Sequence, residues 1–317
     1  PLLAQGGQLG GAVMGTVQWN PLAANLTLED AAYAPTPEAG LDRANGRVQY
    51  AEGVWRFDPL RVQGAGSDCT LSGGLQDGTW TGTVRGTRVD LNRVLAALAG
   101  LRALGVDAQG DGAGLRGSVG VAVDEVLLRR ARATQLRTTV QLDGDTIRAE
   151  DLTLTPYAGA LTGTITWARG APATLALDLS WNGADLRFAD DLLYAEPRGL
   201  QGTTRGSADV RFPMVPGRQL LNGLSGDVTI EALDGTYGRM GFATQVLTVL
   251  RTTDALRLQM PSLQDEGLRF KESAATLVAR EGVIEPVTFM LVDNAYRLTG
   301  GGWIHLPQDE MEVELGV

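Results

Sequence analysis

The residues able to do chemistry are few. The 317-residue chain holds one histidine, His305, and one cysteine, Cys69. A Ser-His-Asp or Cys-His arrangement would have to pass through His305, which follows Trp303 and Ile304 in an alternating run and is expected on a strand. A single cysteine forms no internal disulfide and no cysteine-based zinc site. The acidic pairs Asp143 with Asp145, Asp190 with Asp191, and Asp309 with Glu310 have the spacing of a Ca²⁺ or glycosidase pair, but beside turns they are expected to be solvated. Gly110-Asp111-Gly112-Ala113-Gly114 and Gly300-Gly301-Gly302 are not followed by Lys-Ser/Thr and open no helix after a strand. Both fail as phosphate-binding loops and read as turns or bulges. The sequence therefore predicts no catalytic residue, metal or cofactor.

Net charge is −10, which opposes binding to a polyphosphate backbone. The basic run Arg129, Arg130, Arg132 and Arg137 alternates with Leu128, Ala131 and Leu136, as on the solvated face of a strand. Hydrophobic residues make up 44% and charged residues 20%, enough to bury a core. No apolar run of ~18 residues is present to form a membrane-spanning helix. Pro1-Leu2-Leu3 opens the chain without the charged start of a signal peptide, and Met311, Val313, Leu315 and Val317 alternate to its last residue. Both ends read as those of a piece of a longer polypeptide.

Period-2 alternation bounded by Gly, Asn or Asp recurs along the chain. Leu175, Leu177 and Leu179 alternate with Ala176 and Asp178, and Leu161 and Ile165 with Thr162 and Thr164. Turns are predicted at Asn45-Gly46, Asp77-Gly78, Asp143-Gly144, Asn182-Gly183 and Asp234-Gly235. Few neighbours are separated by a helix of crossover length, so the expectation is a mainly β fold: an elongated, curled antiparallel sheet with a few short flanking helices. Helical spacing is confined to residues 91–105 and 240–255, with a further turn at Ala189–Tyr194.

The order strand, apolar strand, Gly-rich strand, outgoing strand repeats. It divides the chain into incoming strands over residues 1–40, a first unit over 41–135, a second over 136–223 and a third over 224–317. Leu224-Ser225-Gly226-Asp227-Val228-Thr229-Ile230, then Asp234-Gly235, Val246-Leu247-Thr248-Val249-Leu250 and Leu298-Thr299-Gly300-Gly301-Gly302-Trp303-Ile304-His305-Leu306 follow one another in the third unit. That succession, with Tyr157-Ala158-Gly159-Ala160-Leu161-Thr162-Gly163 upstream, resembles the AsmA-like superfamily of diderm bacterial envelope proteins (AsmA, TamB and YhdP type), in its C-terminal periplasmic region. His305 and Ala158 stand where the family's pattern has Asp and Gly. The resemblance implies a periplasmic segment of a protein anchored in the inner membrane, with a hydrophobic groove that carries phospholipid towards the outer membrane and no chemical step.

Independently of that resemblance, strands with one apolar face must bury it against a second layer, a partner or lipid, and the expected helices are too few to cover them. The candidate groove residues are Leu152, Leu154, Leu161, Ile165, Leu175, Leu177, Leu179, Val287, Phe289, Leu291, Met311, Val313 and Leu315. Ordinary core packing calls for the same side chains. The alternative function is an assembly scaffold that pairs its open sheet edges with strands of an outer-membrane β-barrel protein.

Overall fold

Apolar residues at every second position, punctuated by Gly and Asp, can bury one side only as strands. The computed structural model describes residues 8–19, 21–34, 41–94, 96, 116–170, 172–214, 223–237, 268–294, 297–305 and 310–316. Among these residues it is mainly β, with seventeen strands, one eight-residue helix and a helical turn at residues 91–94. The chain forms two compact units, Pro1–Leu154 with Thr166–Ala168, and Thr155–Ile165 with Arg169–Val317.

In the first unit, β1 (Gln8–Trp19), β2 (Leu22–Ala34), β3 (Leu41–Ala51), β4 (Val54–Gly64), β5 (Ser67–Gln76) and β6 (Thr79–Asp90) pair in succession, each antiparallel to the last. β7 (Arg116–Leu128) then lies beside β6 in parallel, β8 (Ala131–Asp143) returns antiparallel, and β9 (Thr146–Pro156) follows β8. The parallel pair departs from the expected antiparallel order. It falls where the sequence places its first helix, because a parallel neighbour requires a long crossover. Residues 91–94 start that crossover as a helical turn. Asp90 caps it, accepting bonds from the Asn92 and Arg93 amides at 3.1 and 3.3 Å. Asn92 in turn accepts from the Arg129 amide at 2.6 Å and donates to the Arg129 carbonyl at 3.0 Å, tying the turn to the β7–β8 connection. Of the remainder of the expected helix only residue 96 is described, and all of the helix expected over 240–255 lies outside the described residues.

In the second unit, β10 (Ala160–Ala168), which belongs to it as far as Ile165, and β11 (Thr174–Asp185) are neighbours. α1 (Leu186–Leu193) leads into β12 (Gln201–Pro213), which pairs antiparallel with β11. β13 (Ser225–Tyr237), β14 (Leu268–Arg280), β15 (Val283–Val292), β16 (Arg297–His305) and β17 (Glu310–Gly316) complete an antiparallel series. α1 starts three residues before the expected turn because Asp185 caps it, its carboxylate accepting from the Arg187 amide at 2.9 Å.

Asp77-Gly78 and Asp143-Gly144 sit at strand connections as expected. Asn45-Gly46, Asn182-Gly183 and Asp234-Gly235 instead lie within β3, β11 and β13. Register shifts fall at Gly46/Arg47 and between Trp181 and Ala184, and Asp234 has φ 47°. Positive φ serves a bulge as well as it serves a hairpin, so the dipeptide alone does not separate the two. Close strand approach explains two other glycines. At Gly73 (φ 143°) a Cβ would strike the Thr81 carbonyl oxygen, and at Gly226 (φ 129°) that of Asp209.

Sealed core is local. In the second unit α1 packs over one end of the sheet, where Leu186, Leu200, Ala232, Phe270, Leu291 and Leu298 are buried together. Asp190 of α1 is 4% exposed, and its carboxylate accepts from the backbone amides of Arg198 (2.8 Å), Gly199 (2.8 Å) and Leu200 (3.1 Å). A buried charge is tolerable only when bonded this fully. The expectation of a solvated Asp190–Asp191 pair is thus corrected for Asp190, while Asp191 accepts from the Tyr157 hydroxyl at 2.7 Å. In the first unit the sealed side chains include Val119, Val123, Val126, Ala131 and Ala133, around the β7–β8 connection that Asn92 anchors.

Candidate functional site

Directly paired residues of neighbouring strands share a face, so the register decides which side chains form one surface. In the second unit one row runs Trp181, Gly206, Ile230, Ala275, Phe289, Gly300 and Leu315, crossing β11 to β17. Beside it run Leu179, Ala208, Val228 and Leu277, then Leu177, Val210, Gly226 and Ala279. The next row on the other face reads Ser180, Ser207, Thr229, Thr276, Thr288, Gly301 and Glu314. Not one member of it is apolar beyond glycine.

The first unit repeats the contrast over β1 to β8. One row reads Gly15, Leu26, Val48, Phe57, Gly73, Gly82, Val119 and Val140, and a second reads Val17, Ala24, Tyr50, Trp55, Leu75, Trp80, Gly117 and Leu142. Between them, pointing the other way, are Thr16, Asn25, Gln49, Arg56, Gly74, Thr81, Ser118 and Gln141. Each unit therefore presents one apolar and one polar face.

Exposure follows the same division. Along β6, and over residues 205–212 of β12 and 227–231 of β13, the apolar positions are half-buried while their polar neighbours are exposed; beyond them Ala232 is sealed and Leu233 is 46% exposed. The apolar face is therefore the more covered of the two faces along these strands. On the polar face Asp178, Asp209 and Asp227 stand directly opposite one another and are exposed. Such a like-charge row is bearable only in water. Complementary pairs share that face, with the Arg205 guanidinium donating to Glu231 at 2.7 Å and a Ser207–Thr229 hydroxyl bond at 2.9 Å.

Aromatic rings fill the gaps that the glycines leave. A Cβ at Gly206 would lie 2.6 Å from the Trp181 indole, and one at Gly300 would lie 2.5 Å from the Phe289 ring. Phe57 and Trp80 stack with centroids 5.3 Å apart. Trp181 Nε1 donates to Thr204 Oγ1 at 3.3 Å, and the Thr204 hydroxyl donates in turn to the Glu231 carbonyl at 2.8 Å. Trp181, Gly206, Ile230 and Ala275 line an open cavity of about 540 Å³ together with Asn182, Arg205, Thr229, Glu231 and Thr276, so its wall is mixed and more polar than apolar. A second cavity, about 870 Å³, lies over β3–β6 of the first unit and is mostly polar, with Gln49, Arg56, Ser72, Gln76 and Thr81 on its wall.

The thirteen predicted groove residues divide by environment. Leu152 and Leu291 are sealed, at 5% and 6% exposed, and Leu291 belongs to the core under α1. Leu154, Leu161, Ile165, Leu175, Leu177, Leu179 and Phe289 are half-buried. Leu175, Leu177, Leu179 and Phe289 fall on the apolar face by register. Gly163 abuts Asp178 and Leu179, and period 2 carries Leu161 and Ile165 on to the same face. Val287, Met311, Val313 and Leu315 hold register positions on that face, opposite Gly302, Ile304, Gly302 and Gly300; their side chains lie outside the described residues. The register adds Val210, Val228, Ile230 and Leu277, and in the first unit Leu26, Val48, Phe57 and Leu75. Their alternation was legible, but the face they share is set by strand pairing.

No group of three metal-ligating side chains occurs among the described residues. His305 lies in β16, where its Nδ1 has no hydrogen-bond partner among the described residues. Perturbed acids are held by structural pairs: hydrogen bonds from Arg61 lower the Asp68 carboxyl, and hydrogen bonds from Arg187 lower that of Asp185. Burial raises the Cys69 thiol, which shares a face with Val62 and Gly86. Burial likewise raises the Tyr237 phenol against the opposing effect of its hydrogen bond to Ser273. The charge of the neighbouring Asp68 adds to the upward shift of Cys69, and the opposite shifts of Asp68 and Arg61, and of Asp185 and Arg187, are those of hydrogen-bonded ion pairs.

No family model, curated protein or solved structure matches the chain. No helix among the described residues is long and apolar enough to cross a membrane.

Proposed function

We propose that the chain is a periplasmic segment of an AsmA-like envelope protein, anchored in the inner membrane when whole, that shelters phospholipid acyl chains between inner and outer membrane without a chemical step. The carrying observation is the row of seven register-aligned positions from Trp181 to Leu315, apolar or glycine throughout, on a face only half covered. Along the strand, Leu175 to Trp181 extends about 20 Å at ~3.4 Å per residue. One leaflet's hydrocarbon is about 15 Å deep, so a single acyl chain fits that length. Each CH₂ removed from water contributes about 0.8 kcal/mol, and no directional contact is needed. The outward polar face and net charge of −10 keep such a surface dissolved.

Native mass spectrometry of the purified chain tests the reading. Phospholipid adducts are expected, and Leu177→Asp combined with Phe289→Asp is expected to abolish them with the far-ultraviolet circular dichroism unchanged. A folded chain free of lipid in every preparation refutes it.

A further inference from the structure

The apolar face of the second unit changes cover between two neighbouring rows. Ala184, Thr204, Ala232, Ser273, Leu291 and Leu298 oppose one another from β11 to β16, and none is more than 7% exposed. The row beside it, from Trp181 to Gly300, is half-buried throughout. A register shift between Trp181 and Ala184 keeps both on one face although an even number of residues separates them. Leu186 of α1 and Leu200 beyond it join the first row in one buried cluster. That cover is tied down twice. Asp190 of α1 holds the amides of residues 198–200, and Asp191 accepts from the Tyr157 hydroxyl, with the Arg187 guanidinium 5.8 Å from the centre of the Tyr157 ring.

We infer that α1 and Trp181 close one end of the acyl site and so set the length of acyl chain that the second unit accepts. The inference rests on the lipid reading and adds to it a direction and a limit. On β11 and β12 the apolar strip passes from Leu175 opposite Phe212 through Leu177 opposite Val210 and Leu179 opposite Ala208, and ends on Trp181 opposite Gly206. There the indole lies across Gly206, and its Nε1 donates into the sealed row at Thr204. An acyl chain lying along the strands therefore meets the ring, and behind it the α1 cover, with its methyl end. The distance of ~20 Å from Leu175 to Trp181 takes a chain of roughly sixteen carbons. Each methylene gains by leaving water, and one that finds no apolar surface gains nothing, so a closed end shows as a break in affinity against chain length.

Titration with saturated lysophosphatidylcholines, each carrying a single acyl chain, read by native mass spectrometry, gives the test. Affinity is expected to rise by up to about fourfold per added methylene and to level off near roughly sixteen carbons. Trp181→Ala, which opens the face as far as Thr204, is expected to move the break to longer chains by roughly five carbons, the ~7 Å between successive rows. Thr204 keeps its bond to the Glu231 carbonyl in that variant, so unchanged circular dichroism is expected. Ala208→Phe, which adds a ring one row nearer Leu175 on the half-covered face, is expected to move the break to shorter chains by a similar amount, and reads the same limit without removing a packed side chain. A break that neither variant moves overturns the inference and leaves the lipid reading standing. So does affinity that climbs without a break through the longest chain, the behaviour of a chain lying across the strands. Binding of no lysophosphatidylcholine at any length refutes the lipid reading, and this inference with it.

Discussion

Two leucines of the same apolar face separate ordinary core from a surface kept open for lipid. Leu291 is 6% exposed beneath α1, whereas Leu177 is half-buried on the open part of the face. Truncation to alanine removes three carbons, worth about 2.4 kcal/mol if all leave a sealed site, at ~0.8 kcal/mol each. At Leu291 a residual cavity adds to that, and the expected cost is about 3–4 kcal/mol, within the usual range for buried leucines. At Leu177 roughly half of the transfer is at stake and no cavity is sealed, so the expected cost is about 1 kcal/mol. Urea denaturation followed by circular dichroism measures both, with the midpoint moving and the slope unchanged. The order should invert for lipid. Leu177→Ala is expected to weaken phospholipid binding by about fivefold, the equivalent of ~1 kcal/mol, and Leu291→Ala to leave it unchanged. A Leu177→Ala cost equal to that of Leu291→Ala, with no change in lipid affinity, would refute the reasoning and make the face ordinary core.

Asp190→Ala leaves three backbone amides without their acceptor, and a loss on the order of 3 kcal/mol is expected in urea denaturation, with α1 the first element to lose amide-exchange protection. Because Arg187 lowers the Asp185 carboxyl, the pair's contribution is full above the ordinary carboxylate range near pH 4 and is lost as pH falls through the depressed value. Asp185→Asn should therefore flatten that part of the acid-unfolding curve and leave stability at pH 7 to 9 parallel to the parent. Burial raises the Cys69 thiol, so maleimide labelling at pH 7 is expected to be slower than for an exposed cysteine, to accelerate with rising pH, and to slow again when phospholipid covers the face. Labelling as fast as that of free cysteine contradicts the placement of Cys69.

Much of this architecture is visible in the residues. Leu175-Ala176-Leu177-Asp178-Leu179 reads directly as a two-faced strand, and β11 is one. Asp-Gly at residues 77–78 reads as a turn and is one. Asn-Gly at 45–46 and 182–183 did not behave so, because a positive φ is compatible with a bulge inside a strand and the choice rests on the partner strand. The parallel β6–β7 pair was hidden for a related reason. The helical spacing after Leu91 announces a crossover, but not the strand beside which the chain lands. Asp190 gave no local signal, since its partners, the amides of residues 198–200, meet it only once α1 folds back. The apolar face shows the same limit on a larger scale. Each strand displays its own alternation, yet only the register aligns Trp181, Ile230 and Phe289 in one row and places Leu291 under the cap while Leu177 stays open.

The most direct measurement of the central claim is photo-crosslinking with a phospholipid carrying a diazirine at the end of an acyl chain, followed by peptide mapping. The account predicts adducts at alternate residues of adjacent strands, at Leu177 and Leu179, Val210, Val228, Leu277 and Phe289, with Asp178, Ser207, Thr229 and Thr276 unmodified. Adducts on that second set, or none above those formed by a soluble diazirine lacking the lipid, would contradict it.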